Sequence, residues 1–250
     1  VKVVIAFLLA LVCCLGACAP IKPVAPEGPV SEAGPVPEIE FGQPCTSAEG
    51  EHWLAEAPGD PRAAFRGAAC WAYLAEQKQK GAPSRLTAAS NGRQLAKSAV
   101  AAWPDSGMAH YLLAYLTGLV AEETPLQGLK LVPVIEREAQ QAARLQPDID
   151  HAGPDRMLGE LYLRAPEFPV SIGDPAQAVD YYRKAVDLAP GFNANRLGLV
   201  EALLADEQTA AACKELNHLF RSGFPNLKKD ADWQKTLELQ ERLCGQIGAQ

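Results

Sequence analysis

The sequence predicts an all-α fold, a solenoid of about four helix pairs with a capping helix at both ends. Three observations carry that reading. Pro104, Pro147 and Pro190 close helix-like segments at a constant spacing of 43 residues, and proline ends a helix because it lacks the backbone donor that a helix interior uses. Small residues recur at helix-packing offsets, as in Ala178, Tyr182, Ala185 and Pro190 after Leu158, Gly159 and Tyr162. The same frame leads from His110, Leu113 and Ala114 to Ala139, Ala142 and Pro147, and from Leu197 and Gly198 to Ala210. A non-repeating helical bundle is the alternative, since short alanine-rich helices also produce small-residue coincidences.

The first element is a processing segment. Lys2 supplies a short positive region, Val3 to Val12 an apolar run, and Leu15-Gly16-Ala17-Cys18 small residues before a cysteine. The run is too short to span a bilayer. Residues 1–17 read as a lipoprotein signal peptide, with cleavage before Cys18 and lipidation of that residue; an ordinary secretory signal cut near Ala17 keeps the compartment but loses the anchor. Residues 18–44 are rich in proline and read as an acylated, extended, non-packing tether. Residues 45–250 read as the helical domain.

Within that domain, Thr46 or Ser47 caps a short helix ending near Ala57, and Pro58-Gly59-Asp60-Pro61 makes a tight turn. A second helix, Arg62 to about Lys80, carries Phe65, Ala68, Trp71 and Leu74 inward and stops at Gly81-Ala82-Pro83. Ser84 caps the next, which reaches Trp103. Ser106 to Glu122 follows, then a long partner from Pro125 to Leu145 with an irregularity at Pro133. Gly153–Ala165 and Pro175–Ala189 form one pair, Asn195–Leu204 and Thr209–Phe220 another. Gly223-Phe224-Pro225 breaks the chain before a last helix, about Asp230 to Cys244.

The net charge of −7 and 21% charged residues argue against a general nucleic-acid surface. Besides the lipidated Cys18, four cysteines remain after processing, and the helix order selects their pairing. Cys45 and Cys70 flank the turn at Pro58 at similar distances; Cys213 lies early in its helix and Cys244 late in the terminal one. Disulfides Cys45–Cys70 and Cys213–Cys244 would each pin a terminal helix. Signatures for phosphate cradling, serine hydrolysis, zinc peptidases or dinucleotides are lacking. His52, His110, His151 and His218 form no ligand spacing. No enzyme, metal or cofactor is expected.

Polar residues of the middle pairs are the binding candidates. Arg156 precedes Leu158-Gly159 as Asn195 precedes Leu197-Gly198, with Arg196 beside it. First helices of stacked pairs line a concave wall, so these residues either converge there or serve as solvated pairs, Arg156 with Glu160 among them. Phe168 and Ile172, on the proline-rich loop 165–173, either pack over the inter-helix groove or wall a pocket. Asp174 caps the next helix. A groove lined by Tyr115, Arg156, Phe168 and Asn195 would suit a small organic ligand, an arginine fork meeting a carboxylate and an apolar wall its tail.

The offsets of Ala178, Tyr182, Ala185 and Pro190 match the second half of a tetratricopeptide (TPR) unit, and Leu158, Gly159 and Tyr162 the first. A regular unit takes about 34 residues, so units spaced by 43 carry insertions. Through the lipobox, LGELYLRAP, Ser171-Ile172-Gly173-Asp174 and Asn195-Arg196-Leu197-Gly198, the chain resembles the T component of TRAP transporters. That resemblance implies a lipid-anchored body on the periplasmic side of the outer membrane. It also implies assembly as a homotrimer, association with a periplasmic solute-binding protein or other envelope protein, and a cavity for a small organic acid. A purely structural TPR scaffold for an envelope complex is the other reading.

Overall fold

The computed structural model describes residues 34–77, 83–221 and 231–247. The expected signal segment, Cys18, the tether up to residue 33, the stop at Gly81-Ala82 and the break at Gly223-Phe224-Pro225 lie outside the described residues. The described helices are α1 (Ser47–Glu56), α2 (Pro61–Ala75), α3 (Arg85–Ala102), α4 (Gly107–Glu123), α5 (Pro125–Gly128), α6 (Val132–Leu145), α7 (Ile149–Arg164), α8 (Pro175–Leu188), α9 (Asn193–Ala205), α10 (Thr209–Arg221) and α11 (Ala231–Ile247). Among the described residues none is long and apolar enough to cross a membrane.

Helix starts follow the local chemistry. Thr46 and Glu49 form a reciprocal capping box at α1, Asp60 caps α2 ahead of Pro61, and Ser84 and Ser106 cap α3 and α4. Asp174 accepts from the Gln177 amide ahead of Pro175, and those bonds hold its carboxyl below its ordinary pKa. Each side chain satisfies an amide donor that a helix's first turn leaves unpaired.

Consecutive helices pack as four pairs, α2 with α3, α4 with α6, α7 with α8 and α9 with α10, with α1 and α11 against the outer pairs. The first helices also touch in series, α2 with α4, α4 with α7 and α7 with α9, and so form one wall of the array. Three of the four loops inside pairs are long, at 76–84, 124–131 and 165–174, and the fourth is only 206–208. The extra length beyond a compact unit therefore follows the C-termini of the first helices of the first three pairs, along one edge of the array.

Packing depends on glycine where helices approach most closely. An ideal Cβ on Gly159 would stand 2.7 Å from the Tyr182 ring, and one on Gly198 only 2.1 Å from it. Tyr182 of α8 is thus seated between α7 and α9, 2% exposed. Tyr162 stacks on Tyr181 with centroids 5.4 Å apart. Disulfides join Cys45 to Cys70 and Cys213 to Cys244, with Cα–Cα distances of 5.4 and 5.5 Å.

Three elements differ from the sequence reading. The second helix, expected to run to about Lys80, ends at Ala75 with Glu76 as its C-cap. Residues 34–44, expected to belong to a non-packing tether, instead run against the first pairs. Ile39 and Phe41 pack on the core, and the Trp103 indole donates to the Gly34 carbonyl at 2.9 Å. Proline content pointed to an extended backbone, and burial of two apolar side chains together with the Cys45 bond fixes it in place. The helix expected from Pro125 to Leu145 is two, α5 and α6, because Pro133 falls in the first turn of α6 rather than inside a continuous helix.

Candidate functional site

The first helices of three pairs present matching stripes to a common groove. Tyr111, Tyr115, Leu119 and Glu122 come from α4, Arg156, Met157, Glu160 and Arg164 from α7, and Leu197 and Glu201 from α9. Spacings of three and four put each set on one helix face. The groove has two lobes. The first, about 440 Å³, lies between α4, α7 and α9. The second, about 420 Å³, is apolar, walled by Leu129, Val132, Ile135 and Leu161, and bordered by the loops after α4 and α7 through Pro125 and Pro166. Gly118, Glu122, Met157, Glu160 and Arg164 belong to both.

An aromatic cluster forms one end of the wall. Phe41 meets Tyr111 and Tyr115 edge-on at 5.0 and 5.1 Å between centroids. The Tyr115 hydroxyl donates to Glu76 at 2.8 Å, that of Tyr182 to Glu160 at 2.7 Å and that of Tyr111 to Asp150 at 2.7 Å. Burial, and then the neighbouring carboxylate, pushes each phenol above its ordinary pKa. All three remain neutral donors at physiological pH.

Arg156 sits at the junction of α4, α7 and α9. Its guanidinium pairs with the Asp150 carboxylate and donates to the carbonyls of Asp150 and His151 and to Asn195 Oδ1, at 3.0, 3.2 and 3.0 Å. It also lies over the Phe192 ring, 4.9 Å from the centroid. Asn195 is fully buried behind it and donates through Nδ2 to the His151 and Ala185 carbonyls, both at 2.9 Å. Asp150, His151 and Ala152 are left-handed, with φ of 47°, 55° and 64°, a conformation that costs L-residues roughly 1–2 kcal/mol each. Arg156 and Asn195 hold that turn by bonding its carbonyls.

The structure therefore brings Tyr115, Arg156 and Asn195 together, the first two on the groove and the third beneath it. Arg156 pairs with Asp150 rather than Glu160, which goes to Arg164. The charge expected to meet a ligand carboxylate is thus met inside the protein. Arg196 faces the other way, in an ion pair with Glu215 of α10. Phe168, 88% exposed, stands at a loop tip and does not line either lobe, whereas Ile172 packs into the core of the last two pairs. The sequence reading missed Asp150, Phe41 and the glutamates Glu122, Glu160 and Glu201. The glutamates had a signal, each following an inward-facing Tyr115, Arg156 or Leu197 by four or seven residues on the same helix face.

No family model matches the chain, and no curated protein is significantly similar to it in sequence. Among solved structures, a thermophilic TPR protein of Thermus thermophilus is similar with a TM-score of 0.55 and 17% identity, over 75% of this chain and 87% of its own. The fold is that of a TPR array. In TPR terms the groove is the concave wall built by the first helices of adjacent units. Among the described residues no group of three or more His, Cys, Asp or Glu could hold a metal ion.

Proposed function

We propose that this chain is a lipid-anchored periplasmic TPR-like protein that binds a small amphipathic organic ligand in its concave groove, as an accessory component of TRAP-type transport working with a solute-binding protein. The observation that carries the ligand reading is the two-lobed groove, with an apolar lobe opening into one edged by tyrosines, carboxylates and guanidiniums. Its volumes suit a small molecule. The lipobox at Cys18 supports the anchor, and the LGELYLRAP and SIGD phrases support the transport setting.

Gly118 provides the test. It lines both lobes, and a Cβ added there meets nothing within 4 Å. Gly118→Phe therefore sets the first carbon of a bulky side chain into open groove space. The full-length protein, purified from membranes in mild detergent, should carry a small molecule detectable by native mass spectrometry that Gly118→Phe lacks at unchanged melting temperature. Equal occupancy in both proteins would remove the groove from consideration. Cys18→Ser should release the chain from the membrane fraction.

One observation favours the scaffold reading as a second possibility. Leu126, Phe168 and Val170, at 97%, 88% and 66% exposure, project from the two loops that border the groove, and large apolar side chains held in water suit a protein partner. A partner protein that co-purifies with the wild type and with Gly118→Phe, but not with Leu126→Asp/Phe168→Asp, would support that use of the loops.

A further inference from the structure

The geometry points to a cationic head group on the groove's ligand: an amphipathic amine, its ammonium placed among Glu122, Glu160 and Glu201 and its apolar tail in the lobe walled by Leu129, Val132, Ile135 and Leu161. This inference rests on the ligand reading above and specifies the chemistry of the same site.

The argument is charge complementarity at an apolar groove. Three glutamates line it, one from each first helix. Two arginines also line it, but neither is free to receive an anion. Arg156 is neutralised by Asp150. Arg164 is divided between Glu160, at 2.9 Å, and Glu201, at 2.5 Å. Glu122 shares Arg85 with Glu76 and Glu123, at 2.7, 3.7 and 3.3 Å. Each of these two bridging guanidiniums therefore serves more carboxylates than it can neutralise, and the groove keeps a negative surplus.

Helix polarity sharpens the point. Glu76, Glu122 and Glu123 occupy the C-terminal ends of α2 and α4, where the helix macrodipole disfavours a carboxylate. Stability alone would place lysine or arginine there. A cation entering between the glutamates relieves both the surplus and the dipole. An anion meets carboxylates whose guanidinium partners are already engaged.

Glu122 and Glu160 lie in both lobes, so a head group beside them leaves its tail directed into the apolar one. The alkyl portion is accommodated by aliphatic walls without polar groups to desolvate, contributing roughly 0.8 kcal/mol per buried CH₂.

The test uses three probes of one chain length, octylammonium, octanoate and octanol, titrated calorimetrically into the whole mature polypeptide carrying Cys18→Ser. Octylammonium should bind at least about tenfold tighter than octanoate at low salt. That preference should shrink as sodium chloride screens the site, and should fall to about twofold or less in Glu122→Gln/Glu160→Gln. Binding of all probes should be lost in Gly118→Phe. Equal or tighter binding of octanoate, with Gly118→Phe still abolishing it, overturns the cationic assignment and leaves the groove as a ligand site. Failure of every probe to bind, or binding unaffected by Gly118→Phe, overturns the assignment and the ligand reading together.

Discussion

The buried His110–Glu138 pair makes the stability of this array depend on pH in a calculable direction. His110 Nδ1 lies 2.5 Å from Glu138 Oε2 and Nε2 2.8 Å from the Pro104 carbonyl, so both ring nitrogens face acceptors and the imidazolium is the form that satisfies both. The Glu138 bond holds the imidazole above its ordinary value of 6.5, against burial. The Glu138 carboxyl is resisted by burial but is brought below 4.5 by its bonds to His110 and Arg137. A raised histidine stabilises fully below 6.5 and its contribution is lost as pH climbs through the folded value; a lowered glutamate stabilises above 4.5 and is lost as pH falls through its own. The pair thus stabilises most between 4.5 and 6.5. Melting temperatures measured from pH 5 to 9 should decline above 6.5 in the wild type, and His110→Gln/Glu138→Gln should flatten that part of the slope; parallel profiles would refute it. Asn195 offers a second residue-scale test. Asn195→Ala removes one of two donors from each of the His151 and Ala185 carbonyls, which keep Arg156 and the Ala189 amide, and one acceptor from Arg156, so chemical denaturation should show a loss of about 1–3 kcal/mol. Neither consequence was legible in the chain. Asn195 was marked for its position beside Leu197-Gly198, but the left-handed turn at 150–152 that turns it into a structural residue has no glycine or asparagine to announce it.

At the scale of the helices, prolines carried most of the legible information. Trp103, Gln146 and Ala189 each precede a proline and each ends a helix with nearly the same backbone, φ −133°, −153° and −134° with ψ 75°, 79° and 69°. The clash of proline Cδ with the preceding residue disfavours the helical conformation there, so a local rule located three helix ends. Pro133 was harder to place, since proline is tolerated in a first turn and disruptive elsewhere, and only the end of α5 at Gly128 shows which case applies. Phe41 was lost in a proline-rich composition whose order depends on contacts with α4, distant in sequence. The Leu-Gly steps were read correctly as packing positions, and their strength is measurable. Gly198→Ala would set a methyl group against the buried Tyr182 ring. Overpacking of this kind costs about 1–3 kcal/mol, and Tyr182→Leu should recover part of it in a double-mutant cycle; additive losses would mean the ring is not the obstacle.

For the whole molecule, the proposed function requires three helices that are distant in sequence to keep one groove in register. That is why its charge balance was the least legible feature: Glu122, Glu160 and Glu201 read singly as solvated helix surface, and become a shared surplus only when Arg85 and Arg164 bridge stacked units. A linear array is weakest at its ends, where a terminal unit has one neighbour instead of two. The disulfides address both ends, and the Cys213–Cys244 bond bears directly on the groove because α10, which it ties to α11, supports α9. Closing a 31-residue separation restricts the unfolded ensemble by about 2–4 kcal/mol. In Cys213→Ser/Cys244→Ser, hydrogen exchange should therefore accelerate in α10 and α11 first and in α9 next, while α4 and α6 keep wild-type protection. The Cys45→Ser/Cys70→Ser variant should show the reverse gradient, beginning at α1. Uniform acceleration along the chain in either variant would mean that the array unfolds as one cooperative block and that its ends need no separate support.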